Sequence, residues 1–138
     1  MWRLRVFWES ICRVWYYLPI IWKIRDWDWG FCLELFKHSL IRLEETIRVN
    51  GQHTTAKRDS RQVKKAIDMI DKILEDDFCK LEFSEFYSRF PNDKWPREYT
   101  EEQSKELMRL MNKEWRLKRA AWRRLWVHIE KHMQAWWD

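Results

Sequence analysis

The stretch TEEQSKELMRLMNKEWRLKRAAWRRLWVHIEKHMQAW, residues 100–136, predicts one long helix. Thr100 and Gln103 have the spacing of a capping box, in which the two side chains satisfy free N–H groups at a helix start. Apolar residues then recur at steps of three and four over residues 107–133. At 1.5 Å per residue this helix would be roughly 50 Å long, more than the width of a compact domain of this size. We therefore expect part of it to contact something outside its own core, most simply a second subunit.

The composition of the chain predicts one all-α domain over residues 1–138. This length suits a single hydrophobic core, and only two glycines and three prolines accompany 46% hydrophobic and 36% charged residues. The longest apolar run, residues 14–22, is too short to span a bilayer and precedes no small-residue cleavage site. Three widely spaced cysteines indicate neither a disulfide framework nor a zinc site. We expect a small bundle of about four helices that forms oligomers and acts in the cytosol.

Apolar periodicity predicts two helices in the first part of the chain. The first covers residues 2 to about 17, and its apolar face carries Leu4, Phe7, Trp8, Ile11, Trp15 and Leu18. It should end at Pro19, because the residue before a proline avoids the helical conformation. The second helix should begin at Asp26 or Asp28, since either carboxylate can cap it, and should stop at Asn50.

A third helix should begin at Asp59 or Ser60, after a polar linker, and carry an apolar face as far as residue 74. Three acids follow at residues 75–77, where the helix dipole disfavours negative charge, so we expect them to have a basic neighbour. The aromatic-rich segment at residues 78–90 suits a short helix or turn folded over the core. Together with the long helix this completes the predicted bundle.

The twelve tryptophans are far more than a small domain uses for packing alone, so some should lie at binding surfaces. Two sets recur every seven residues: Trp8, Trp15, Trp22 and Trp29, and Trp115, Trp122, Ile129 and Trp136. Because Pro19 should interrupt the first set, only the second can form one helical stripe. That stripe predicts a packing seam, either against the first helix or against another subunit.

Charge is distributed unevenly over a chain of net charge +5. Residues 1–25 contain five basic residues and one acid, and residues 105–131 contain nine basic residues and three acids. Residues 68–85 contain seven acids and two lysines. This distribution suits an anionic partner at one place, or head-to-tail association between subunits.

No arrangement of residues in the sequence is typical of catalysis. His128 and His132 lie one helical turn apart but lack the glutamate position of the zinc-protease motif. No nucleophile elbow, phosphate-binding glycine loop or cysteine–histidine pair is present. We therefore expect a protein that is not an enzyme and that uses neither cofactor nor metal.

The segment KIRDWDWG, residues 23–30, is the first candidate binding site. If it is extended, alternation places Arg25, Trp27 and Trp29 on one side. Such a cluster can stack a purine between aromatic rings while the guanidinium and free N–H groups of a helix start bind a phosphate. In the alternative interpretation the aspartates cap the helix, Arg25 pairs with one of them, and the tryptophans fill the core.

A basic stripe on the long helix is the second candidate. Its cations recur at steps of three and four beside three tryptophans: Arg109, Lys113, Arg116, Arg119 and Arg123, with Trp115, Trp122 and Trp126. This pattern favours binding of an anion that carries a base, although it also suits a solvated helix face. The predicted ligand-binding residues are Arg25, Trp27, Trp29, Arg116, Arg119, Trp122 and Arg123.

The pattern PIIWKIRDWDW at residues 19–29, after a helix rich in arginine and tryptophan, resembles small tryptophan-rich proteins of tailed bacteriophages. Those proteins tend to have an acid before the arginine, and Ile24 departs from this, which argues against carboxylate chemistry there. The resemblance covers mainly the first fifty residues. It implies a phage origin and action in the host cytosol.

By analogy of class, a phage protein of this kind resembles those that sequester nucleotide signals of host immunity. The expected partner is a nucleotide-like anionic small molecule, bound by a homo-oligomer. Nucleic-acid binding or a phage structural role is one alternative, and inhibition of a host enzyme through exposed tryptophans is another. A membrane-surface role of the first helix is a lesser alternative.

Overall fold

The computed structural model describes residues 2–22, 29–51, 54–91 and 97–136, with side chains from Leu4 onward. Its helices are α1 (Trp2–Ile21), α2 (Trp29–Asn50), α3 (Ala56–Glu75), α4 (Lys80–Arg89) and α5 (Glu101–His132), followed by a 3₁₀ turn at Met133–Trp136. No strand occurs in these ranges. The all-α prediction is confirmed. In the described ranges the chain has one α-helix more than the four predicted, because the aromatic-rich segment, predicted as a short helix or turn, forms helix α4.

The hydrophobic core lies between α2, α3 and the second half of α5. Helix α2 contributes one buried side chain every seven residues, at Leu33, Leu40 and Ile47. Helix α3 contributes one stripe with the three- and four-residue spacing of a helical face: Val63, Ala66, Ile70 and Ile73. The C-terminal part of the chain contributes Leu125 and Ile129 of α5 and Trp136 of the 3₁₀ turn to the same core. Thus Ile129 and Trp136 of the predicted heptad seam are buried inside the chain, and Trp122 of the same seam packs against this core.

The capping box at the start of α5 is confirmed. The backbone N–H of Gln103 donates to Thr100 Oγ1 at 3.3 Å, and the backbone N–H of Thr100 donates to Gln103 Oε1 at 3.0 Å. The first half of α5 contains none of the buried residues of this helix, and α4 adjoins it through Arg89–Glu106 and Lys113–Glu82 ion pairs. Within the described residues, therefore, the first half of α5 lies outside the core.

Pro19 does not end the first helix, so that prediction is wrong. Helix α1 continues to Ile21, and the backbone N–H of Trp22 donates to the carbonyl of Leu18 at 2.9 Å. A proline removes its own N–H donor but leaves the carbonyls and later N–H groups available, so the helix resumes its hydrogen bonds after it. Trp8, Trp15 and Trp22 consequently do lie along one nearly continuous helical stripe. The predicted aspartate caps of α2 lie outside the described residues.

The predicted caps of α3 are also wrong. The helix begins at Ala56, after Thr55, and the N–H of Asp59 already donates to the carbonyl of Thr55 at 3.0 Å. Asp59 is therefore inside the first turn, where its buried carboxylate accepts from Arg58 Nε at 3.1 Å. At the other end of α3 the expected basic neighbour is confirmed, because Lys118 Nζ lies 2.8 Å from Asp76 Oδ1.

Thr100→Ala should increase amide hydrogen exchange in the first turns of α5 by about fivefold, because loss of an N-cap costs about 1 kcal/mol. Thr55→Ala is the matched control, since Thr55 precedes α3 but its side chain makes no capping hydrogen bond. Exchange at the start of α3 should therefore change little in the control. Equal effects of the two substitutions would contradict the capping role of Thr100.

Candidate functional site

The cations of α5 divide into paired and unpaired groups. Lys113 Nζ donates to Glu82 Oε1 at 2.7 Å, a contact that lowers the pKa of Glu82 and raises the pKa of Lys113. Lys118 binds Asp76 and Glu114, mainly through its hydrogen bond with Asp76, and its pKa is raised. Within the described residues, five arginines of α5 form no ion pair: Arg109, Arg116, Arg119, Arg123 and Arg124. These arginines remain available for an external anion.

A groove of about 570 Å³ runs between α3 and the second half of α5. Cationic and imidazole side chains from both helices line it: Lys65, Arg123, Arg124, His128, Lys131 and His132. Met69 and Val127 add apolar surface. No aspartate or glutamate among the described residues lines this space. We call it the basic groove, and its composition favours an anion.

The histidines of the basic groove are held in defined positions. His128 is buried, and its Nε2 donates to the carbonyl of Gln62 at 2.9 Å, which fixes the tautomer because a carbonyl oxygen can only accept. His132 lies beside it, with ring centroids 4.7 Å apart. Burial lowers the pKa of His132, and electrostatic interactions with His128, Lys131, Lys65 and Arg58 lower it further. The lowered pKa is therefore partly an effect of the positive field in this groove.

A second surface lies along the first half and the middle of α5, outside the core. The guanidinium of Arg119 stacks over the ring of Trp115 at 4.9 Å, and Trp115 is exposed. Arg109 and Arg116 line an open depression of about 730 Å³ with Trp115. Glu101 also lines this depression, so its field is less uniformly positive than that of the basic groove. An arginine–tryptophan pair of this type can receive a base on its free face.

The remaining tryptophans of the long helix pack against α2. The Trp122 ring lies 5.5 Å from that of Trp29, the first residue of α2, and 6.3 Å from that of Trp126. Phe36 stacks on Trp126 with ring centroids 6.3 Å apart. This aromatic cluster joins the start of α2 to the middle of α5. Its half-exposed members, Trp29 and Trp126, leave ring surface accessible.

The described members of the predicted ligand-binding set lie on three different surfaces. Trp29 and Trp122 meet in the aromatic cluster against α2, whereas Arg123 lines the basic groove against α3. Arg116 lines the open depression with Trp115, and Arg119 stacks over the Trp115 ring. Arg25 and Trp27 lie outside the described residues, so their part in the candidate site stays a prediction.

Sequence reasoning missed most of the residues that make the basic groove. Lys65 belongs to α3, and only the packing of α3 on α5 brings it beside Arg123. Arg124 and Lys131 belong to the same helix as the predicted stripe and could have been included with it. His132 was considered only as a metal ligand, and no group of three or more potential metal ligands occurs among the described residues.

Comparisons of the chain with protein-family models, with curated proteins and with solved structures each give no match. None of the helices in the described ranges has the length and apolar character needed to cross a membrane.

His132 should make the protein less stable as the pH falls below the ordinary histidine pKa of 6.5. The pKa of His132 is lower in the folded chain than in the unfolded chain. As the pH falls, the unfolded chain therefore binds a proton first, and the free energy of unfolding decreases until the pH is below the folded-state pKa. We expect urea midpoints to fall from pH 7.5 to pH 5 and His132→Gln to reduce that dependence. An unchanged pH dependence in the variant would show that His132 titrates alike in both states.

Proposed function

We propose that the protein is a non-catalytic binding protein, encoded by a bacteriophage, that sequesters a nucleotide-derived signal of the host cell. The observation that carries this proposal is the basic groove, where two arginines, two lysines and two histidines converge without a carboxylate among the described lining residues. The phage origin rests on the resemblance of residues 19–29. Turnover is not part of the proposal, because binding alone removes a signal.

The chemistry of the basic groove supports a phosphate-bearing ligand. Arg123 and Arg124 carry guanidinium groups that bind phosphate oxygens in pairs, and Lys65 and Lys131 add point charges. Met69 and Val127 offer apolar surface to a base or sugar. The volume of about 570 Å³ falls in the usual range of small-molecule sites, roughly 300–1,000 Å³. A nucleotide therefore satisfies both the charge and the size of the groove.

Nucleic acid is the second candidate ligand, and the continuity of the cations favours it. Unpaired arginines extend along α5 from Arg109 to Arg124, a distance of roughly 22 Å at 1.5 Å per residue. Exposed Trp115 provides a stacking surface next to this line. A polyanion that follows the helix would contact both the open depression and the basic groove. Its binding would weaken steeply with salt because phosphate contacts release counterions.

A protein partner, such as a host enzyme, is the third candidate. Large apolar side chains are exposed on both α1 and α5, among them Trp8, Trp15 and Trp115. Aromatic side chains of this kind are frequent anchors at protein interfaces. This candidate predicts retention of one macromolecule and no saturable binding of nucleotides.

Arg123→Ala should weaken nucleotide binding by roughly tenfold to a hundredfold, the effect of losing one charge-assisted hydrogen bond. Binding would be measured by isothermal titration with a cyclic dinucleotide, and with a single-stranded oligonucleotide over a range of salt concentrations. Arg13→Ala, which removes an exposed arginine of α1, is the matched control and should bind as the wild type does.

The outcomes separate the candidates. Tight, weakly salt-dependent binding of the dinucleotide supports sequestration, whereas binding of the oligonucleotide alone with a steep salt dependence supports the nucleic-acid role. If Arg25→Ala or Trp27→Ala abolishes dinucleotide binding and Arg123→Ala does not, the site belongs to residues 25–29 instead. Failure of the wild type to bind either ligand would exclude both anion-binding roles.

A further inference from the structure

Helix α1 contacts the rest of the chain through its two tyrosines. Tyr16 Oη donates to the carbonyl of His38 at 3.4 Å, and Tyr17 Oη donates to Ser39 Oγ at 3.3 Å. His38 Nε2 donates to the carbonyl of Tyr16 at 3.3 Å, and the two rings lie 4.2 Å apart. The guanidinium of Arg42 stacks over the Tyr16 ring at 5.0 Å. One side of α1 is thereby fixed to the middle of α2.

The opposite side of α1 is the apolar one. Its residues follow one another at alternating steps of four and three: Leu4, Trp8, Ile11, Trp15, Leu18 and Trp22. We call this set the tryptophan seam of α1. The exposed fractions are 73% for Leu4, 66% for Trp8, 68% for Trp15 and 85% for Trp22. Ile11 and Leu18 are partly buried. The four other members are exposed, although the seam has the pattern expected of a buried face.

The spacing of the seam is that of a coiled coil. Alternating steps of four and three keep every member on one line along the helix, with tryptophan at one heptad position and leucine or isoleucine at the other. Exposed Phe7, Val14 and Ile21 recur every seven residues along one edge and widen the apolar surface. Because α1 continues past Pro19, this pattern runs the whole length of the helix.

We propose that two copies of the chain pair through the tryptophan seam of α1. This inference goes beyond the proposed binding of an anion and is independent of it. A two-fold contact requires a surface that is complementary to itself, and a regular apolar seam meets that requirement without matching charges. Glu9, the acid in the sequence of α1, pairs with Arg5 of the same helix at 3.1 Å, so its carboxylate is not left unpaired beside the seam.

The area of the seam supports a stable pair. An aromatic side chain buries about 150–250 Å². With the exposed fractions above, the seam and its widened edge present roughly 800 Å² of apolar surface, which is about the area that each partner contributes to a stable protein interface. The largest apolar patch on an ordinary monomer is about 300–600 Å². A second copy presents a matching apolar surface to this excess.

A lipid surface fits the same face less well. Helices that lie on membranes carry many lysines and arginines on their polar side. Helix α1 contains no lysine, and its Arg5 is paired with Glu9. Arg13 is exposed, but Tyr16 and Tyr17 use much of the same polar side for contact with α2. Much of the polar side is therefore used for packing within the chain, and it lacks the many cations of a membrane-surface helix.

The test is analytical ultracentrifugation of the full chain over a range of concentrations. We expect a dimer in the wild type and a dissociation constant weakened by about a hundredfold or more in Trp15→Glu, because a central tryptophan is replaced by a charge that the partner cannot pair. Trp115→Glu is the matched control: Trp115 is 58% exposed on α5, and its substitution should leave the dimer unchanged. Leu4→Glu, a second substitution in the seam, should weaken the dimer as well.

Helical circular dichroism should be the same in all variants, since every substituted side chain is exposed. A monomeric wild type, a dimer that resists both Trp15→Glu and Leu4→Glu, or equal weakening in the control would each overturn the proposal. A monomer that floats with phosphatidylglycerol vesicles would assign the seam to lipid instead. Nucleotide binding is measured separately, so its failure leaves this result unaffected.

Discussion

One side of α3 is enclosed between α2 and the second half of α5, and the positions of the charged surfaces depend on this contact. Val63 and Ile70 have no exposed surface. Full burial of such a side chain contributes roughly 1.5–3 kcal/mol, whereas a surface ion pair contributes about 0–1 kcal/mol. The apolar stripe of α3 therefore determines how α3 and α5 are placed, and the ion pairs form within that arrangement.

The arrangement pairs the acidic middle of the chain with one side of α5. Asp76, at the end of α3, binds Lys118, and Glu82 of α4 binds Lys113. These lysines take up the nearby carboxylates, so the arginines of α5 are left without an ion pair among the described residues. The polarised charge noted in the sequence is thus partly neutralised within the chain. Part of the remaining positive charge lies in the basic groove, which Lys65, Arg123 and Lys131 line together.

The apolar and basic surfaces serve different chemistry. The tryptophan seam of α1 is separated from the core by the tyrosine contacts with α2, whereas the basic groove lies on the far helix pair, α3 and α5. An apolar seam favours association with another protein surface, and a cation-lined groove favours an anion. Pairing of two chains and binding of an anion therefore do not compete for the same residues.

The sequence by itself determined the helical class, the long C-terminal helix with its capping box, and the need for a basic neighbour at residues 75–77. These follow from local hydrogen bonding, from periodicity and from the helix dipole, which act over a few residues. The end of α1 predicted from Pro19 and the start of α3 predicted from Asp59 were wrong. Proline and aspartate each occur at more than one position near a helix end, so neither residue specifies the boundary. Only the tertiary structure decided which tryptophans are enclosed and which cations converge. Trp122 packs on Trp29, and Lys65 lines the same groove as Arg123, although the residues of each pair are far apart in the chain. Periodicity within one helix does not specify such neighbours.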